Sequence, residues 1–411
     1  MNERLQRILL VVGFVLIVGL LAFGLYWVFF RPQPTGPVVT PPVTGKPGTL
    51  PGTGQAPPPG AVTSVTPGLP TPGGVPTPVP ALPTGVPSVQ RTAVLSDART
   101  TNISMSTGGQ LRGYNPNDGK FYRIGADGQA VPLSNQVFFN VDQVAWANGS
   151  DKAVLEYPDG SNIYYDFATD KQVTLPKHWE DFNFAPQDDR IVAKSIGNNE
   201  DNRFLVVANP DGTNAKAVEP LGNNHDKVHS SWSPNNQMIA YSFTGEPMGY
   251  DRQQILLLGQ NRENFKGLVV EGRGFIPEWS PSGKNLLYSV YSSDDGYIPS
   301  IWVSGAQGES VNANRRNLEL NTWADKCAWQ NENVLICGVP TQLGQGAGLQ
   351  RQLFENTPDE IYKIDLAAGT KVNLGAPAGN AAVKEMTITA DGSAALFTDV
   401  TTGRLVRFNL Q

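Results

Sequence analysis

One eleven-residue pattern occurs twice and constrains everything around it: Trp232-Ser233-Pro234-Asn235-Asn236-Gln237-Met238-Ile239-Ala240-Tyr241-Ser242 and Trp279-Ser280-Pro281-Ser282-Gly283-Lys284-Asn285-Leu286-Leu287-Tyr288-Ser289. Each copy reads as the end of one strand, a polar turn and a second, apolar strand, which is the pattern of a β-hairpin. A lone hairpin leaves much of its apolar surface in water. Hairpins recurring every forty to fifty residues must therefore stack and share a core.

Aligned on the two tryptophans, the frame recurs at Trp146, Phe184 and Trp329 and, more weakly, at Met105 and Ile388, with intervals of 41, 38, 48, 47, 50 and 59 residues. A third β-rich segment follows every frame: Phe121-Tyr122-Arg123-Ile124, Ile163-Tyr164-Tyr165-Asp166, Phe204-Leu205-Val206-Val207, Ile255-Leu256-Leu257-Leu258, Ile301-Trp302-Val303, Ile361-Tyr362-Lys363-Ile364-Asp365 and Leu405-Val406-Arg407-Phe408. Most continue through a turn such as Pro210-Asp211-Gly212 into a short fourth segment such as Gln172-Val173-Thr174-Leu175 or Lys371-Val372-Asn373-Leu374. Four antiparallel strands per unit, with almost no helical periodicity between units, predict the blade of a β-propeller. The seventh frame ends after its third strand. Thr92-Ala93-Val94-Leu95, which precedes the first hairpin and has no other partner, is expected to supply the missing strand and close the ring, removing an open edge. The fold class expected for residues 91–411 is an all-β, seven-bladed β-propeller.

The rest of the chain is of different character. Residues 8–30 form a run of 23 without a charge, and at 1.5 Å per residue a helix of that length covers roughly the 30 Å core of a bilayer. Arg4 and Arg7 precede it, and Tyr26 and Trp27 sit near its far end, where aromatic rings favour the membrane interface. The expectation is an uncleaved, single-pass signal anchor. Residues 1–7 would be cytoplasmic and the propeller extracytoplasmic, on the periplasmic side or the cell surface. A cleaved signal peptide would have a shorter apolar run and a small-residue cleavage site, and neither is present. Residues 31–90 hold 18 prolines with abundant glycine and threonine, a composition that blocks helix and sheet and offers no core. This segment reads as a disordered Pro-rich stalk, able to reach on the order of 190 Å if fully extended as polyproline II.

The hairpin resembles the repeat of TolB-type (WD40-like, PD40) propellers, which also occurs in prolyl-oligopeptidase-like peptidases. Trp-Ser-Pro-x-x-x-x-x-x-Tyr at Trp232 and Trp279 carries the resemblance, with Phe184-Ala185-Pro186 and Thr389-Ala390-Asp391-Gly392 as partial copies. It implies an exported propeller that binds other proteins. The anchor and stalk depart from the soluble periplasmic members, so their particular partners do not transfer.

Catalytic motifs are absent. There is no G-x-S-x-G elbow and no segment to house a hydrolase domain, no P-loop and no H-E-x-x-H. No catalytic residue, cofactor or metal is expected. His225 and His229 read as part of a polar inter-blade loop, and Asp294-Asp295 as an exposed turn without EF-hand spacing. Residues 91–411 carry 27 Lys and Arg against 36 Asp and Glu, a charge of −9 that disfavours nucleic acid. The connections between second and third strands lengthen in blades four, five and six to residues 244–254, 292–300 and 338–360. Alternate connections emerge on one face, so these loops should be neighbours. Their Met248, Tyr250, Tyr297, Leu349 and Phe354 are the expected partner-binding residues, unless the loops fold back and bury them. The expected partner is an envelope or cell-surface protein, or a glycan; the rival expectation is a propeller hydrolase or lyase acting on envelope glycans. Finally, Cys327 and Cys337 flank the blade-six hairpin. If Gln330 faces Val334, the two cysteines lie directly opposite, and export would supply the oxidising compartment for a disulfide.

Overall fold

The computed structural model describes residues 16–20, 23, 91–263 and 265–411. The chain divides into two units, Met1–Ala81 and Leu82–Gln411. In the first, residues 16–20 and 23 are helical, and the remainder of the expected anchor and stalk lies outside the described residues. Among the described residues no helix is long and apolar enough to cross a membrane.

The second unit is an all-β propeller of seven four-stranded antiparallel sheets. Blades one to six each use four consecutive strands; blade one comprises Thr101–Met105, Leu111–Asn115, Lys120–Ile124 and Ala130–Pro132. The first strands of several neighbouring blades lie against one another and so face the axis. All seven expected third strands are present, and Met105, Trp146, Phe184, Trp279 and Ile388 each end a first strand. Blade seven is completed from the other end of the propeller: Thr92–Arg99 pairs antiparallel with Arg404–Asn409, with Thr92 opposite Phe408 and Val94 opposite Val406. This closing strand runs four residues beyond the expected 92–95 and carries two register shifts.

The serine after each tryptophan of the repeat has a backbone task. Ser233 Oγ accepts hydrogen bonds from the amides of Gln237 (3.1 Å) and Met238 (2.9 Å), and Ser280 Oγ accepts one from Asn285 (3.1 Å). Ser106 and Thr389 do the same in blades one and seven, on Gln110 and Ala394. The hydroxyl thus satisfies amides that the tight turn takes out of the ladder. Blade two has Ala147 at this position. There the Asp188 carboxylate of blade three accepts from the amides of Asn148, Gly149 and Ser150 instead.

The core is a ring of seven apolar seams, one between each pair of neighbouring blades. The seam between blades four and five joins Met238, Tyr241 and Ile255 to Phe275, Leu286 and Tyr288. The one between blades one and seven is the smallest, with only Leu111, Ile124, Leu396 and Leu405 fully buried. Polar groups cross the seams as well. Arg112 of blade one, with no exposed surface, donates to the carbonyls of Ala147 (2.7 Å) and Ser150 (2.6 Å) in blade two and lies over the Trp146 ring.

In blade six Cys327 and Cys337 are opposite one another and disulfide-bonded, with Cα atoms 4.0 Å apart. The register differs at the hairpin end, where Val334 faces Asn331 and not Gln330: an irregularity after Trp329 absorbs one residue. Gln330 instead donates to the carbonyl of Gly392 in blade seven. Close by, Asp359 and Lys326 form a fully buried ion pair (2.7 Å), and the same carboxylate oxygen accepts from the Val383 amide (2.6 Å), tying blade six to blade seven. Breaking a buried pair leaves a charge without its counterion. Lys326→Met is therefore expected to cost about 3–5 kcal/mol. Adding Asp359→Asn, which keeps an acceptor for Val383, should recover a large part of that loss in denaturant unfolding followed by tryptophan fluorescence.

Candidate functional site

The second-to-third-strand loops of blades four, five and six occupy residues 243–252, 292–299 and 341–358, the flanking strands reaching into all three of the expected intervals. They are knitted together. Gly346 and Gly348 of the third loop donate backbone hydrogen bonds to the carbonyls of Gly296 and Tyr297 in the second, both at 2.8 Å. Asp251 of the first loop accepts from the Ser293 amide (2.8 Å) and pairs with Arg273 (2.7 Å), whose guanidinium lies over the Tyr250 ring. Tyr297 shares a hydrogen bond with Tyr250, which raises its pKa, and meets Tyr291 edge to face. Gly348 is required here: a Cβ would stand 2.4 Å from the Tyr291 ring.

The five expected partner-binding residues divide by exposure. Met248, Tyr250 and Leu349 are 44%, 76% and 54% exposed, while Tyr297 and Phe354 are half-buried and pack within the loops. Leu353, 73% exposed and outside the expected set, extends the apolar surface. Its position in a short 3-10 turn, Arg351–Leu353, removes it from any strand alternation that would have flagged it.

The same face carries a polar pocket of about 630 Å³ over blades two, three and four, beside the short blade-two connection at residues 157–161. Its deeper groups are Glu156, Asn162, Trp179, Asp181 and Lys194, and its rim includes Asp142, Lys177, His178, Glu180 and His229. The Lys194 side chain is only 8% exposed, with its ammonium 3.1 Å from Glu180 and 3.6 Å from Asp181. Asp181 has a positive φ of 59° within an irregularity of its strand; its amide donates to Glu156 Oε2 (3.0 Å) and its carboxylate accepts from Ser230 (2.8 Å). Burial pushes the Glu156 carboxyl up to about 7, opposed by the amides of Asp181 and Phe182 and reinforced by the Asp181 charge. Signals for this pocket existed in sequence: a lysine in the apolar run Ile191-Val192-Ala193-Lys194, and Glu180-Asp181 in a first strand. Only folding brings them beside Glu156.

The axial channel opens on the opposite face, by the hairpin turns, into a cavity of about 680 Å³ reached by Ile103, Asn148, Pro234, Glu278, Trp329 and Lys384, which come from six different blades. Glu278 borders this cavity yet is surrounded by protein, and burial together with the Asp325 charge pushes it up to about 8. Of the histidine pair, His229 is exposed with its ring edge-on to Phe243, and His225 lies 3.4 Å from Arg203. Among the described residues no group of three or more His, Cys, Asp or Glu is placed to hold a metal ion.

No protein-family model and no curated protein matches this sequence. Solved structures do. The chain is similar to an oligogalacturonate lyase in complex with manganese, at 15% identity and a TM-score of 0.54 over 78% of this chain and 93% of that one. It is similar to the β-propeller domain of Myceliophteria thermophila Cps50 (Swd1), at 10% and 0.53 over 78% and 100%. It also resembles a streptogramin B lyase, at 11% and 0.51 over 78% and 97%. The tricorn protease matches at a TM-score of 0.47, this chain spanning 34% of its length. At these identities the likeness is one of fold, shared by scaffolds and enzymes alike.

The raised Glu156 carboxyl sets a pH dependence. In the unfolded chain it titrates near 4.5 and in the fold near 7, so the fold binds the proton more tightly. The stability this contributes is complete below about 4.5 and is lost as pH rises to about 7. Glu156→Gln should leave the melting temperature nearly unchanged at pH 4.5 and raise stability by roughly 1–3 kcal/mol at pH 8. Thermal melts of both proteins across that range check it.

Proposed function

We propose that this protein is a membrane-anchored, extracytoplasmic propeller of the TolB type that serves as a scaffold, holding an envelope or cell-surface protein on its loop face. The observation that carries the reading is the loop platform of blades four to six. Three loops distant in sequence are cross-linked by backbone hydrogen bonds and by the Asp251 carboxylate, which accepts from the Ser293 amide, yet leave Met248, Tyr250, Leu349 and Leu353 in water. Fixed geometry with exposed apolar and aromatic side chains is what a protein-binding surface needs, because little conformational entropy remains to be lost on docking. The apolar run at residues 8–30 and the Pro-rich segment 31–90 support anchoring and display away from the membrane.

A second reading, a hydrolase or lyase acting on envelope glycans, is favoured by one observation. The polar pocket holds the Glu156 carboxyl near 7 beside Asp181, and a carboxyl raised toward neutrality suits a general acid or base role.

Two measurements test the scaffold. Protease added to intact cells or spheroplasts should cut within residues 31–90 and release a folded fragment beginning near residue 90; protection of that fragment inside the cell would reverse the orientation. Replacing Met248, Tyr250 and Leu349 together by Ser should abolish capture of the partner from envelope extracts and leave the melting transition within about 1 kcal/mol of the parent. Loss of folding stability with retained capture would assign these side chains to packing.

A further inference from the structure

We propose that the polar pocket over blades two, three and four is a saccharide-binding site selective for neutral sugars over acidic ones. The inference rests on the pocket itself and holds whether the protein is a scaffold or an enzyme.

Three properties point to this class. First, the pocket offers donors and acceptors side by side. The rim supplies donors from Gln143, Lys177 and His178 and acceptors from Asp142 and Glu180, while the interior holds Lys194, whose ammonium is shared by Glu180, Asp181 and the His225 carbonyl, and Glu156, which accepts from the Asp181 amide. A sugar hydroxyl both donates and accepts, so it fits a mixed lining of this kind better than a ligand that only accepts. Second, the walls include Tyr157 and His229, flat rings against which the C–H face of a pyranose packs, and the volume of about 630 Å³ lies within the range of small-molecule sites. Third, four carboxyl groups border the pocket against two ammonium groups, and one of the latter, Lys177, is 3.6 Å from Asp159. The excess of negative charge repels uronates, sulfated sugars and phosphates.

The pocket is open because the connections of blades two and three are short, whereas blades four to six raise their long loops on the same face. Burial of Glu156 supports the assignment: near neutral pH its carboxyl is partly protonated and serves as donor or acceptor to a hydroxyl.

The test is calorimetric titration of the full-length chain, in a detergent without a sugar headgroup, with cellotetraose, chitotetraose (N-acetylated) and tetragalacturonate. The expected result is binding of one or both neutral oligomers with Kd of about 1 mM or tighter, and of tetragalacturonate at least about tenfold more weakly. Glu156→Ala and the rim variant Glu180→Ala, which remove the hydrogen-bonding atoms, should each weaken binding about tenfold, the loss of one good hydrogen bond. Glu180 is exposed and Lys194 keeps Asp181 and the His225 carbonyl as partners, so its replacement leaves folding intact and keeps the test valid if the Glu156 variant is altered in stability. Absence of binding for both neutral oligomers, tetragalacturonate binding as tightly as they do, or binding unmoved by both variants would overturn the proposal. Reducing-end release, measured in the same samples, separates this from the enzymatic reading: binding without cleavage upholds the site and removes the hydrolase.

Discussion

The apolar seam between neighbouring blades is the interaction on which the rest depends. Each four-stranded sheet buries one flank against the blade before it and the other against the blade after, so no blade has a core of its own. Tyr241, for example, stacks on Trp279 of the next blade at 5.6 Å between ring centroids. Stability in such an array is a sum of neighbour terms, and a ring with one broken seam becomes an open row with two uncovered flanks. The seam with the fewest buried apolar residues, between blades one and seven, coincides with the point where the ring is fastened by Thr92–Arg99. That strand adds a hydrogen-bonded ladder where side-chain burial is least.

Where the seams approach the axis, regular pairing gives way. The first strands of blades one, three, five and seven each contain a register shift, and at each shift stands a residue of positive φ: Asn102, Asp181, Gly274 and Glu385. A bulge turns a side chain out of the alternation of its strand. Asp181 and Glu385 use that freedom to reach backbone amides of the following blade, Ser230 and Ile103. The irregularity that shapes the pocket is thus also a device for joining blades. At Asp181 both roles fall on one carboxylate.

Much of the architecture was legible in the chain because it repeats. The hairpin frame, the third strands, the blade number and the closing strand all follow from a pattern read seven times, in which each copy corrects errors in the others. The single-residue pairing at Gln330 was not legible, since a one-residue irregularity leaves the hydrophobic pattern intact. The loop face was legible as loop length and composition, but sequence had no means of separating exposed Met248, Tyr250 and Leu349 from half-buried Tyr297 and Phe354. The polar pocket escaped for a different reason. Glu156, Asp181 and His229 come from three blades, and no local window contains their juxtaposition.

The closing strand has a mechanical corollary. Arg91, the residue that enters it, is held by its own carbonyl, which accepts from the Asn409 amide (2.7 Å), and by its guanidinium, which donates to Leu374 of blade six (3.0 Å). Any tension transmitted along the chain from residue 90 arrives first at this clasp, then at Thr92 and its ladder to Phe408. A pull along that path peels the outermost strand of blade seven and loads the thinnest seam of the ring. The N-terminal entry of the propeller and the closure of its ring are one place, so resistance to a pull applied there is set by a single strand and one arginine.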